Sequence, residues 1–217
     1  LAEVLITLGI IGVVAALTLP ALMQNYKKRV VETKLKKVYN VVNNAIARDV
    51  AEYGDYSEWF TNCRDSGGSY CSMDDAYAWV QQYFAPYIKT TKIEKYNKST
   101  LDNPQGILLY FADGSILEVK TYLQDYAYYI DKKALDNPKR GINMFIFMFN
   151  PLRTDSGMST YTQGKAFEPY AWNWNGTRAQ LLSGVYNSCN ASQGRIFCTK
   201  LIQYDGWKIP DDYPFKF

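Results

Sequence analysis

The stretch Val4 to Met23 is 20 residues long and carries no charge, yet Glu3 stands immediately before it. No other feature limits the chain so tightly. At about 1.5 Å per residue a helix of this length matches the roughly 30 Å hydrocarbon core of a bilayer. A secretory signal peptide would need a basic region ahead of the apolar run and a small-residue cleavage site behind it. Neither reading accounts for Glu3. A carboxylate at the edge of lipid costs free energy unless an opposite charge meets it.

Charge order sharpens the problem. Lys27, Lys28, Arg29, Lys34, Lys36 and Lys37 follow the apolar run, opposed only by Glu32. The positive-inside rule would hold that flank in the cytoplasm. The cysteines point the other way. Cys63 and Cys71 enclose one Gly/Ser-rich loop, and Cys189 and Cys198 enclose a second. Two close pairs behind a membrane segment predict two local disulfides and an oxidising compartment, rather than four free thiols. Both conflicts resolve if a short basic leader ahead of Leu1 fixes the topology and is then removed.

Beyond Gln24 the pattern changes. Val31, Leu35, Val38, Val42 and Ala45 step by four and three, and Ile46, Val50 and Tyr53 widen the stripe. This periodicity predicts an amphipathic helix, with Lys34, Lys37, Asn44 and Arg48 on its other side and Gly54 as its stop. Pro20 interrupts the apolar half by removing one backbone hydrogen bond, which predicts a kink. Gly9, Gly12 and Ala16 place small residues on roughly one face, where a neighbouring helix can approach.

The order hydrophobic-x-Glu, an apolar run with Gly9 and Gly12, Pro20, then an amphipathic helix resembles the N-terminus of type IV pilins and type II secretion pseudopilins. The resemblance covers about the first quarter of the chain. In that family a prepilin peptidase cuts after a glycine, and the mature chain has its glutamate fifth, where this sequence has it third. The resemblance implies that Glu3 meets the α-amino group of a sister subunit inside a helical filament. It also implies local melting of the helix near Pro20 on assembly. Its implied partners are other copies of the chain, the inner-membrane pilus assembly machinery, the prepilin peptidase, and the lipid bilayer before assembly. Its implied location is the inner membrane first, then a cell-surface or extracellular pilus.

The expected fold is α+β. Residues 1–54 form a long pilin-type helix, with 1–24 the hydrophobic half and 25–54 the amphipathic half. Residues 55–217 form a globular head with two disulfide-closed loops and a small antiparallel sheet. Within the head, Met73 to Phe84 reads as a helix capped by Ser72. GILLYFADGSILEV reads as a hairpin turning at Asp113-Gly114, and Met144 to Phe149 as a strand covered on both faces. Three or four strands are expected in all. Cys198 to Tyr204 reads as a short helix.

The loop holding Asp131, Asp136, Asn137 and Asn143 sits where some pseudopilins hold calcium. Lys132, Lys133, Lys139 and Arg140 crowd it, so it reads as an ordinary polar turn and no metal is expected. Residues 151–188 read as an irregular segment whose Trp172 and Trp174 form either a surface contact or an edge strand. Asp211 and Asp212 read as exposed acids able to face basic residues of another copy.

Enzymatic chemistry is not expected. The chain has no histidine, which removes the commonest general base and zinc ligand together. No phosphate-binding glycine loop is present, and no cofactor is implied. A net charge of +3 gives no ground for nucleic acid as a partner. The expected function is a structural pilin subunit. The alternatives are a type II secretion pseudopilin, or a membrane-anchored binding or adhesion module that does not polymerise.

Overall fold

The structure is a computed structural model that describes residues 2–56, 59, 71–98, 104–149 and 166–217; the side chains of residues 2, 3, 5 and 6 lie outside that description. One helix, α1 (Ala2–Tyr53), occupies 52 residues and would reach ~80 Å at 1.5 Å per residue. Pro20 lies inside it and does not end it. Only the bond that a Pro20 N–H would have made to the carbonyl four residues earlier is lost. The turns on either side keep their own bonds, and the Thr18 hydroxyl donates to the Val14 carbonyl at 2.9 Å. Gly54 closes the helix in the left-handed region at φ 83°, its N–H donating to the Val50 carbonyl.

The head is built on a six-stranded antiparallel sheet in simple sequential order. Its strands are β1 (Lys92–Tyr96), β2 (Gly106–Tyr110), β3 (Ile116–Lys120), β4 (Asp125–Tyr129), β5 (Met144–Phe149) and β6 (Phe167–Pro169). The expected hairpin is β2–β3, with Leu109 opposite Leu117 and Gly114 at φ 79° in the turn. The expected third strand is β5, buried at all six positions. Expectation fell short by β1, β4 and β6.

Period-two alternation sends Ile107, Leu109, Leu117, Val119, Tyr126, Tyr128, Phe145 and Phe147 to one face of the sheet, which shares a core with Val31, Leu35, Val38, Val42, Ala45 and Ile46 of α1. The opposite face carries Leu108, Ile116, Ala127, Tyr129, Met144 and Ile146. Ala134 and Leu135 of α3 (Lys132–Asp136) cover part of it. The helix expected at Met73–Phe84 forms in two pieces, α2 (Met73–Trp79) and a π-helical turn, Val80–Phe84. Ser72 caps it as expected, accepting from the Asp75 N–H while its hydroxyl donates to the Asp75 carboxylate. Two further helices, α4 (Arg178–Leu182) and α5 (Cys198–Tyr204), pack together near the sheet edge. There Thr199 Oγ1 accepts from the Ile146 N–H of β5.

Candidate assembly surface

The two halves of α1 live in different surroundings. Val4 and the apolar side chains from Leu8 to Tyr26 stand clear of the head: Leu17 is 75% exposed, Leu22 66% and Ile11 64%. One turn further on, Val31 and Leu35 are buried. The helix from Thr7 on is long and apolar enough to cross a membrane, and among the described residues none of its most apolar stretch is buried within the chain. Backbone beside Gly9 and Gly12 is open, with nothing within 4 Å of where a Cβ would stand. Both positions are therefore bare notches on the exposed half. The carboxyl group of Glu3 belongs to the side chains outside the description.

The amphipathic half is tied to the head along its length by polar contacts as well as by the buried stripe. Glu32 accepts from Lys208 Nζ at 2.9 Å and from the Ile209 N–H at 2.9 Å. Lys34 donates to the carbonyls of Ile130 and Asp113. Lys37 pairs with the Asp113 carboxylate at 2.7 Å. Burial by itself pushes the Asp113 carboxyl up, but Lys37 and the Ser115 hydroxyl and amide together hold it at about 2. Tyr39 donates to Glu168 of β6 at 2.8 Å. Burial first, then that bond and the Glu168 charge, push the Tyr39 hydroxyl above its ordinary range. Asn43 pairs with the backbone of Phe167.

Lys34 and Lys37, placed by the sequence on the side of the helix away from the apolar stripe, are thus head contacts. The lysines and arginine at 27–29 precede this zone, next to Tyr26, which is 68% exposed at the end of the apolar half. That arrangement places an aromatic ring and three cations where a bilayer surface would lie.

Asp49 is the residue that sequence reasoning missed. It falls four positions after Ala45, on the buried stripe, and has no accessible surface. Among the described residues, neither carboxylate oxygen has a hydrogen-bond partner. Burial, with the charge of Glu52 behind it, raises its carboxyl to about 7. Its place in the heptad is the only signal in the sequence, and that signal reads as an apolar position.

The expected disulfide between Cys189 and Cys198 is present, with Cα atoms 4.5 Å apart. Cys71 is also disulfide-bonded; its expected partner, Cys63, lies outside the described residues. In the loop compared with calcium-holding pseudopilins, Asp131 caps α3 by accepting from the Ala134 N–H. Asn143 accepts from the Lys139 N–H and donates to the Asn137 carbonyl. These oxygens and amides close the turn on itself.

Two expectations are adjusted. Asp211 and Asp212 are exposed as expected, but Asp212 is engaged within its own chain: Arg178 grips Asp205 with Nε and one terminal nitrogen, and Asp212 with both terminal nitrogens, at 2.7 to 3.0 Å. The guanidinium supplies five donors in a planar fork, which suits two carboxylates at once. Trp174 is neither a surface contact nor part of an edge strand. It is buried, its indole N–H donates to the Thr177 carbonyl at 2.9 Å, and its ring meets Tyr204 edge to face. Of the irregular segment, residues 151–165 lie outside the description, whereas β6 and α4 give the remainder regular structure.

No curated protein and no solved structure matches the chain. The model of the Family of unknown function (DUF6613) matches residues 21–217, and the chain belongs to that family.

Proposed function

We propose that this chain is a structural subunit that polymerises through its N-terminal helix into a type IV pilus-like filament. The observation that supports this reading best is the division of α1. One half is locked to the head by a buried stripe and five polar residues, and the other half is predominantly apolar, uncharged from Val4 to Met23, and uncovered at its described side chains. An uncovered apolar half-helix needs either lipid or its own kind around it. Glu3 favours its own kind. A carboxylate at the mouth of the apolar run is compensated when a sister chain brings a positive charge, and lipid offers none. The open backbone at Gly9 and Gly12 fits close helix approach. In this reading the head decorates the filament and carries no catalysis, and the membrane holds the subunit only until assembly.

A second reading, a membrane-anchored binding module that stays monomeric, is favoured by the 20-residue match to one bilayer crossing. Charge reversal at Glu3 separates the two. Under the filament reading, Glu3→Lys leaves the chain in the membrane fraction but removes fibres from electron micrographs of the source cells. If native cells show no fibre containing this chain, or if the variant assembles as well as the native chain, the filament reading fails and the anchor reading stands.

A further inference from the structure

A cleft of about 420 Å³ opens between α1, the β2–β3 turn and the segment after the π-helical turn. Its floor is Val41, Ala45, Phe111 and Ala112, and its rim carries Lys37, Arg48 and Lys89. No acid lines it. Of the nearby acids, Asp113 is engaged with Lys37 and Glu52 with the Tyr87 hydroxyl, and Asp49 has no accessible surface. Arg48 and Lys89 are exposed, and among the described residues neither has a carboxylate within ion-pair distance. Arg48 instead lies over the Tyr87 ring, 5.9 Å from its centroid, which holds the guanidinium at the cleft while leaving its donors available. The volume is within the range of small-ligand sites, and apolar floor with convergent cations is the usual makeup of a site for an amphiphilic anion.

The position of the cleft decides which anion. Lys37 lies 14 residues beyond Met23, ~21 Å along the helix, and Arg48 lies further still, so headgroups of a bilayer around the apolar half do not reach it. Two free cations over an apolar floor suit a side chain or two, not a run of phosphates. A second copy is the weaker match, because the chain has 24 basic against 21 acidic residues and two of its exposed acids, Asp74 and Asp212, are already paired at home. We propose that this cleft binds an acidic–apolar peptide segment of a partner protein, its carboxylate facing Arg48 and Lys89 and its apolar side chain on the Phe111 floor. Such a segment gains charge-assisted hydrogen bonds and covers a floor now open to water. The proposal holds whether or not the chain forms filaments.

The test uses the full chain in detergent micelles and a dye-labelled nonapeptide in which two glutamates and two leucines are set in serine. Fluorescence anisotropy is expected to show saturable binding. Replacing both glutamates by glutamine, or both leucines by serine, weakens it about tenfold or more, as does the double variant Arg48→Ala/Lys89→Ala. Ala112→Trp, which fills the floor and leaves the cations in place, is expected to abolish binding, and an unchanged melting temperature certifies the fold of each variant. The proposal is overturned if the acidic peptide shows no saturable binding to the native chain, or if the double variant or the glutamine peptide binds as well. Preference for single-stranded oligothymidine over the peptide, lost in the double variant, overturns it as well and reassigns the cleft to nucleic acid.

Discussion

The carboxamide of Asn43 pairs with the backbone of Phe167 as a strand would: Oδ1 accepts from the Phe167 N–H at 3.1 Å and Nδ2 donates to the Phe167 carbonyl at 2.8 Å. The same Nδ2 donates to the Tyr39 carbonyl one turn earlier in α1. A three-residue edge strand is thereby fastened to the long helix by one side chain. Asn43→Ala leaves a half-buried N–H and carbonyl without their partner, which costs about 1–3 kcal/mol. Hydrogen exchange at Phe167 is expected to quicken in that variant while the β2–β3 amides keep their protection.

Leucine truncation separates the two halves of α1. Leu35→Ala cuts into the shared core, where Leu35 has no accessible surface, and is expected to destabilise the chain by about 2–5 kcal/mol. Leu17, 75% exposed, contributes no packing within the chain, so Leu17→Ala is expected to change unfolding by less than about 0.5 kcal/mol. Denaturant titration in detergent measures both. If the filament proposal is right, Leu17→Ala still lowers fibre yield.

Asp49 sets a pH dependence with a definite sign. Its carboxyl is raised from 3.8 to about 7, so the folded state holds the proton more tightly than the unfolded chain. Stability is therefore greatest at low pH with respect to this group, falls as pH rises from about 4 to 7, and levels off above that. Asp49→Asn, which does not titrate, is expected to flatten the profile between pH 5 and 7. A native profile that rises over that interval would count against the burial of this carboxylate.

The disulfide between Cys189 and Cys198 closes a loop of sequence separation 9. Loop-closure entropy for a ring of that size is worth roughly 2–3 kcal/mol. Replacing both cysteines by alanine is expected to lower the melting temperature by several degrees, with the loss confined to the α4–α5 region in hydrogen exchange.

Arg178 offers a conservative test of geometry rather than charge. Arg178→Lys keeps the positive charge but cannot span Asp205 and Asp212 with two forks. A loss of about 1 kcal/mol, or ~3 °C in melting temperature, is expected, together with freer exchange around Asp212.

Much of this architecture is legible in the residues, and the parts that are not have physical reasons. The stripe from Val31 to Ile46 declares its buried face because period and hydrophobicity agree. The β2–β3 hairpin is legible through Asp113-Gly114, where the backbone needs a positive φ at Gly114. β1 is hidden because Lys92, Glu94 and Lys95 make an edge strand look like a loop. β4 is hidden because Tyr126, Tyr128 and Tyr129 are buried aromatics that read as surface tyrosines until β3 and β5 are beside them. β6 has only three residues, one of them Pro169, and exists by pairing with β5 and by the grip of Asn43. Asp49 and the Arg178 pairing depend on which distant segments come together, and no local pattern reports that.

The unbroken course of α1 through Pro20 has a mechanical consequence. A pull along the rod does not peel the head away end-on. It loads Glu32, Lys34, Lys37, Tyr39 and Asn43 sideways and together, because all five bridge helix and head across the direction of force. Shear shared among parallel bonds resists far more than the same bonds opened one after another, so a load applied at the apolar end is borne by these five contacts together.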